Sequence, residues 1–306
     1  MALHRLTSVT IGVPNVAETA AYYTEFGLGP AGGGVFSTVD GGEQLRLVQA
    51  PTRRLIELGI GADNPDDLAR IATSMAHLGV PTEPGDGVLT AVDPGTAVRV
   101  SIAVAEPITQ AAEPAPVYNG PGRDSRMNAR APGIERAAPV APRKLGHVVL
   151  GSTEQEGSQR FFTDGLGFKV SDNVPGIAAF LRCSTDHHNV LVQPAPVPYL
   201  HHTSWQVEDV DEVGRGAYRM LDGHPERHVW GLGRHHIGSN FFWYLRDPAG
   251  NFSEYYSDLD CIVDDALWKP EVFTDMRILY NWGPPVPPSF LEPEDLASLM
   301  TGTHSQ

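Results

Sequence analysis

The chain has 306 residues, long enough for two domains of ordinary size. Its 22 Lys and Arg against 37 Asp and Glu leave a formal net charge of -15, which argues against nucleic acid and anionic membrane surfaces and points to a small-molecule partner. Two cysteines, Cys183 and Cys261, exclude a disulfide framework and a thiolate metal site; with no signal-type core after Met1 and no apolar run of roughly 18 residues, the expectation is a cytoplasmic protein without a membrane span.

In chain order, residues 7–13 read as an apolar strand, and residues 16–26 have helical spacing closed by Gly27-Leu28-Gly29. Residues 55–60 are a second strand. Leu68, Ile71, Ala72, Met75 and Leu78 share one face, which predicts a helix over 65–78 that Gly79-Val80-Pro81 stops. A turn at Asp93-Pro94-Gly95 leads into a strand at 97–104, and a first domain is expected over 1–105. Residues 106–143 hold seven of the 26 prolines and little apolar periodicity, which marks a linker, either disordered or packed on a neighbouring subunit.

From Lys144 the first pattern returns. Gly146-His147-Val148-Val149-Leu150-Gly151 lines up with Thr7-Ser8-Val9-Thr10-Ile11-Gly12, and residues 161–167 line up with 22–29 apart from one residue. Residues 202–218 match the region 55–71, and Asp247-Pro248-Ala249-Gly250 matches the earlier Asp-Pro-Gly turn. The copies disagree where chemistry is expected: His147 falls on Ser8, His202 somewhere in 55–57, and Glu254 at about Val100. A structural role predicts similar residues in both copies, whereas a site in one copy predicts this asymmetry.

Nine of the 12 histidines lie between His147 and His236, with adjacent pairs at 187–188, 201–202 and 235–236. Residues 241–245 read as a strand and 247–251 as a hairpin turn, so Glu254 sits in the returning strand among Phe252, Tyr255 and Tyr256. A carboxylate buried there needs a cation or strong donors; taken alone, Glu254 reads first as a solvent-facing strand residue, His188 as an exposed loop residue, and His235 and Tyr244 as ordinary strand residues. Two imidazoles with one carboxylate form the ligand set of non-haem iron, and zinc uses similar ligands.

Together these motifs resemble the vicinal oxygen chelate superfamily and, within it, the type I extradiol ring-cleavage dioxygenases. The resemblance covers most of 144–290 through Gly-His-Val at 146–148, His-His-Asn at 187–189, His-His-Thr at 201–203, Gly-Arg-His at 233–235, Tyr244 and Glu254. The tail Trp282-Gly283-Pro284-Pro285-Val286-Pro287-Pro288-Ser289-Phe290 is similar to that of the homoprotocatechuate 2,3-dioxygenase branch. It implies an α+β fold of paired βαβββ modules forming half-open barrels. A metal-free degenerate repeat is then expected over 1–105, a Pro-rich linker over 106–143, a catalytic repeat over 144–257, and a tail over 258–306 packing over the mouth of the site.

The resemblance further implies that His147, His202 and Glu254 ligate one divalent metal, Fe(II) or in some members Mn(II), with His202 preferred to its neighbour His201. It makes His188 the acid-base group and gives His235 and Tyr244 hydrogen bonds to substrate and oxygen; His236 has no assigned role. The implied activity, in a homo-oligomer, inserts both atoms of O2 into a substituted catechol next to the diol and yields a hydroxymuconic semialdehyde-type product. The alternative is a non-redox, metal-dependent glyoxalase-like isomerase or epimerase. Three departures, a lone Arg277 where the branch has paired arginines, Val149 for an asparagine and Phe180 for a tryptophan, point to a less charged or larger catechol.

Overall fold

The computed structural model describes residues 2–112, 114–115, 117–273 and 279–302. Short apolar segments separated by Gly, Pro and Asp turns assemble into two sheets of eight strands. The first holds β1 (Leu3–Val13), β2 (Gly29–Gly32), β3 (Val35–Thr38), β4 (Gly42–Gln49), β5 (Arg54–Ala62), β6 (Thr82–Pro84), β7 (Val88–Val92) and β8 (Arg99–Val104), in the order β2-β3-β4-β1-β5-β8-β7-β6. The second holds β9 (Lys144–Ser152), β10 (Lys169–Val174), β11 (Ala178–Arg182), β12 (Val190–Pro194), β13 (Tyr199–Gln206), β14 (His228–Arg234), β15 (Phe241–Arg246) and β16 (Phe252–Ser257). Its order, β10-β11-β12-β9-β13-β16-β15-β14, repeats the first with every strand advanced by eight. This is the α+β, two-module arrangement the repeat and the family resemblance imply.

Helices occupy the same places in both copies. α1 (Val16–Glu25) and α2 (Pro65–His77) belong to the first; α4 (Gln155–Arg160), continuing into a π turn at Phe161–Gly165, and α5 (Val210–Leu221) belong to the second, with α3 (Pro132–Glu135) between them. Local chemistry sets the starts of α2 and α5: the Asn64 side chain accepts from the Asp67 N–H at 3.1 Å, and the Asp209 side chain from the Glu212 N–H at 3.0 Å. The helix expected over 65–78 ends one residue early, and the strand expected at 97–104 starts at Arg99. β2, Gly-Pro-Ala-Gly, has no apolar alternation to betray it and exists because β3 pairs with it.

The two modules share one continuous core. Phe26 at the end of α1 stacks on Tyr255 of β16 with ring centroids 3.9 Å apart, and the Tyr255 hydroxyl donates to the Phe26 carbonyl at 2.5 Å. Buried Gln44 bridges the sheets, donating to the Leu6 carbonyl and accepting from the Leu145 N–H at 2.8 Å. The described residues of 106–143 lie mostly exposed, but Arg136 grips Asp209 at 2.6 Å and Arg143 grips Asp40 at 2.8 Å, so the second half of the stretch is tied to both modules. Among the described residues no helix is long and apolar enough to cross a membrane.

Candidate metal centre

Strand register brings the candidate ligands together. Ser204 of β13 lies opposite His147 of β9 on one side and opposite Glu254 of β16 on the other, so both project on the face that Ser204 shares with His202, two residues earlier. Pairing between β13 and β9 advances from Leu200↔Leu150 to His202↔Val149, leaving His201 as the extra residue of a β-bulge. A bulge re-aims consecutive side chains, and here the His201 and His202 rings stand 5.0 Å apart.

His147 Nε2 is 3.1 Å and His202 Nε2 3.6 Å from Glu254 Oε2, and one donor atom from each residue lies within 4.8 Å of the others. The three residues are 2%, 4% and 0% exposed. His202 Nε2 and Glu254 Oε2 have no hydrogen-bond partner among the described residues, an expensive condition for buried polar atoms. A cation bound at roughly 2.0–2.2 Å by nitrogen and oxygen ligands would satisfy both atoms, so these residues fit a metal. Burial pushes the Glu254 carboxyl up, but the facing His147, His235 and Ser204 outweigh it and hold the group below its ordinary range. Burial and then the neighbouring imidazoles push His202 well below 6.5, leaving the neutral ring that ligation requires. Asn240 donates to the other carboxylate oxygen, Glu254 Oε1, at 3.2 Å and steadies the carboxylate.

Two of the triad, His147 and His202, line a cavity that also reaches His188, His235, Tyr244 and Asn240. His188, which the sequence alone left readable as an exposed loop residue, is 4% exposed, with its ring centroid 4.2 Å from that of His147. Asn189 holds this loop in place: its side chain donates to the Gly146 carbonyl at 3.1 Å and accepts from the Cys183 N–H at 2.8 Å. Burial, followed by His147, His187, His235 and His202, drives the His188 pKa well below its ordinary value. His235 donates from Nδ1 to the Leu279 carbonyl, which leaves Nε2 to accept from the Tyr244 hydroxyl at 2.9 Å. Burial and the nearby Glu254 raise the Tyr244 pKa well above 10, so it remains a donor.

Away from these groups the walls are apolar: Val149, Phe180, Leu191, Ile237, Leu279 and Phe290 line them. The last two belong to the tail, which also contributes α6 (Pro288–Leu291) and α7 (Leu296–Thr301), so the tail covers the site as expected. Arg53 of the first module fastens it, pairing with Asp295 at 2.6 and 2.8 Å and donating to the Leu200 carbonyl at 2.7 Å. His201 stands outside the triad, and exposed His236 touches Phe273, 5.6 Å between centroids. Arg277 lies outside the described residues. The sequence reading missed Asn240, which meets Glu254 from the start of the β15–β16 hairpin, and Asp172, which meets His187 of a loop and the Glu271 N–H of the tail.

The profile of the Glyoxalase/Bleomycin resistance protein/Dioxygenase superfamily matches residues 144–255. Metapyrocatechase 2 of Cupriavidus necator is 31% identical over 301 residues, 95% of this chain and 92% of that protein. An iron-dependent extradiol dioxygenase of Rhodococcus jostii is 32% identical over 154 residues, 45% of this chain and 50% of that one. Among solved structures, a Mn(II)-bound glyoxalase from Novosphingobium aromaticivorans has a TM-score of 0.74 at 27% identity and covers 94% of both chains. Homoprotocatechuate 2,3-dioxygenase from Arthrobacter globiformis, with a TM-score of 0.73 at 18% identity over 95% of this chain and 91% of that one, shares the fold. The chain belongs to the vicinal oxygen chelate superfamily that the profile describes and, within it, to the extradiol dioxygenases.

Proposed function

We propose that the chain is a meta-cleaving dioxygenase that inserts both atoms of O2 into a substituted catechol next to the diol, with His147, His202 and Glu254 holding one Fe(II) or Mn(II). The observation that carries this reading is the pair of buried ligand atoms, His202 Nε2 and Glu254 Oε2, without a hydrogen-bond partner among the described residues, with His147 and His202 lining a cavity where a neutral His188 and the His235–Tyr244 pair converge. When bound, the metal supplies Lewis acidity toward the diol and a place for dioxygen beside it.

The remaining chemistry belongs to side chains. His188, a neutral imidazole facing the cavity, accepts a proton from the catechol as it binds and returns it at the ring-opening stage. The Tyr244 hydroxyl, held by His235, hydrogen-bonds the substrate oxygen. The apolar walls exclude water and hold the ring beside the ligand set, which converts an encounter of separate reactants into one oriented complex. With Val149 and Phe180 in those walls, the reading favours a ring substituent that is apolar rather than charged. We also read 1–105 and 144–257 as two domains joined by 106–143 and followed by the tail 258–306, in a cytoplasmic homo-oligomer.

The test is metal analysis of anaerobically purified protein together with oxygen uptake on 4-methylcatechol, 2,3-dihydroxybiphenyl and homoprotocatechuate. About one metal per chain, oxygen consumption and a yellow ring-fission product are expected, and an iron-loaded chain that consumed no oxygen with any catechol would overturn the proposal. The 27% identity to the Mn(II)-bound glyoxalase motivates the second reading, a Lewis-acid isomerase. That reading predicts turnover of a glyoxalase-type substrate without oxygen.

A further inference from the structure

Two of the adjacent histidine pairs form hydrogen-bond chains whose far ends dictate where the protons lie. A backbone carbonyl only accepts, and so does an ionised carboxylate. His201 Nε2 lies 2.6 Å from the Phe290 carbonyl oxygen, so Nε2 carries the hydrogen and Nδ1 is left to accept. His201 Nδ1 lies 2.7 Å from His202 Nδ1, which must therefore be the donor. The lone pair of His202 is thereby confined to Nε2, the atom that faces Glu254 and has no hydrogen-bond partner among the described residues.

The second chain has the same logic on unrelated elements. Asp172 of β10 takes the Glu271 N–H on Oδ1 at 2.7 Å and stands 2.9 Å from His187 Nε2 on Oδ2. His187 Nε2 is then the donor, and His187 Nδ1, 3.1 Å from His188 Nδ1, accepts. The lone pair of His188 is left on Nε2. Trp268 packs on the His187 ring at 5.3 Å between centroids, and its indole N–H donates to the Ser171 carbonyl at 2.8 Å, which fixes the outer ring in place.

We infer that His187 and His201 are positioning residues: each sets the tautomer of its inner neighbour, so that His188 meets the substrate, and His202 the metal, with a bare Nε2. Resting on the dioxygenase reading above, this assigns roles to two histidines outside the ligand triad. It also explains why tail residues Glu271 and Phe290 matter to chemistry they do not perform. Outer partners of this kind are worth about 10–100-fold in metal affinity or activity.

Asparagine carries an acceptor near the Nδ1 position of histidine, whereas phenylalanine keeps the ring shape with no acceptor. His201→Phe is expected to weaken Fe(II) affinity about 10–100-fold and His201→Asn to recover most of it. His187→Phe is expected to lower kcat by a similar factor with Fe(II) affinity and KM retained, and His187→Asn to recover it. The tautomers are also read directly, without any variant, by 15N NMR of the histidine-labelled chain, free of metal and loaded with diamagnetic Zn(II). His187 and His201 are expected as Nε2–H forms, and His188 and His202 as Nδ1–H forms. Phenylalanine variants as competent as the unmutated chain, asparagine variants no better than phenylalanine, or an Nε2–H tautomer at His188 or His202 would overturn the inference. Failure of the dioxygenase reading shows separately, as an unmutated chain that consumes no oxygen while the NMR assignment stands.

Discussion

β1, β5 and β8 of the first sheet and β9, β13 and β16 of the second are paired in matching register, down to one extra residue in the middle strand of each, Ile56 in one and His201 in the other. Ser8 faces Gly59 and Gly59 faces Ser101, as His147 faces Ser204 and Ser204 faces Glu254. The register therefore sets Ser8, Glu57 and Ser101 against His147, His202 and Glu254, one residue beyond Val100 for the last. All three first-sheet positions are partly exposed, whereas the triad is buried. Glu57 can keep its hydration and needs no partner; Glu254, with none of its surface exposed, cannot. The same backbone thus carries partly hydrated side chains in one copy and a buried candidate metal site in the other, and the difference lies in three side chains and the tail packed over them.

Removing a ligand breaks the comparison most severely. His202→Ala is expected to lose metal and turnover together, with elemental analysis and oxygen uptake falling to background. His188→Ala separates the two: bound metal stays at the unmutated level while kcat falls about 10²–10⁴-fold, the usual range for a lost general acid-base group. Loss of metal from His188→Ala but not from His202→Ala would reverse the assignments.

Smaller changes sharpen it. Phe26→Ala removes a fully buried ring that stacks across the two modules, and a loss of about 3–5 kcal/mol in denaturant unfolding is expected. Tyr244→Phe deletes one hydroxyl at the site and is expected to lower kcat about tenfold, the equivalent of a hydrogen bond of about 1.5 kcal/mol, with metal content unchanged. Glu57→Ala, at the first-sheet counterpart of His202, is expected to leave metal content and turnover untouched and to move stability by no more than about 0.5 kcal/mol. A measurable loss of metal from that variant would mean that the first copy is not inert.

Much of this was legible in the chain itself. Apolar spacing marked residues 65–78 as a helix, and the repeat from Lys144 aligned His147 with Ser8 because strand alternation and Gly-bounded ends are local properties. The mismatch between the copies then singled out His147, His202 and Glu254. What the sequence could not decide depends on contacts between residues far apart in it. A bulge formed against β9 re-aims His201 and His202, the Phe290 carbonyl 89 residues away accepts from the His201 ring, and the Asp172 carboxylate that meets His187 is held on its other oxygen by the Glu271 N–H of the tail. Residue identity determined which groups were able to bind a metal; tertiary packing decided which of them were buried, unpartnered and turned toward one point, because burial and hydrogen-bond direction belong to the assembled fold and to no single segment of it.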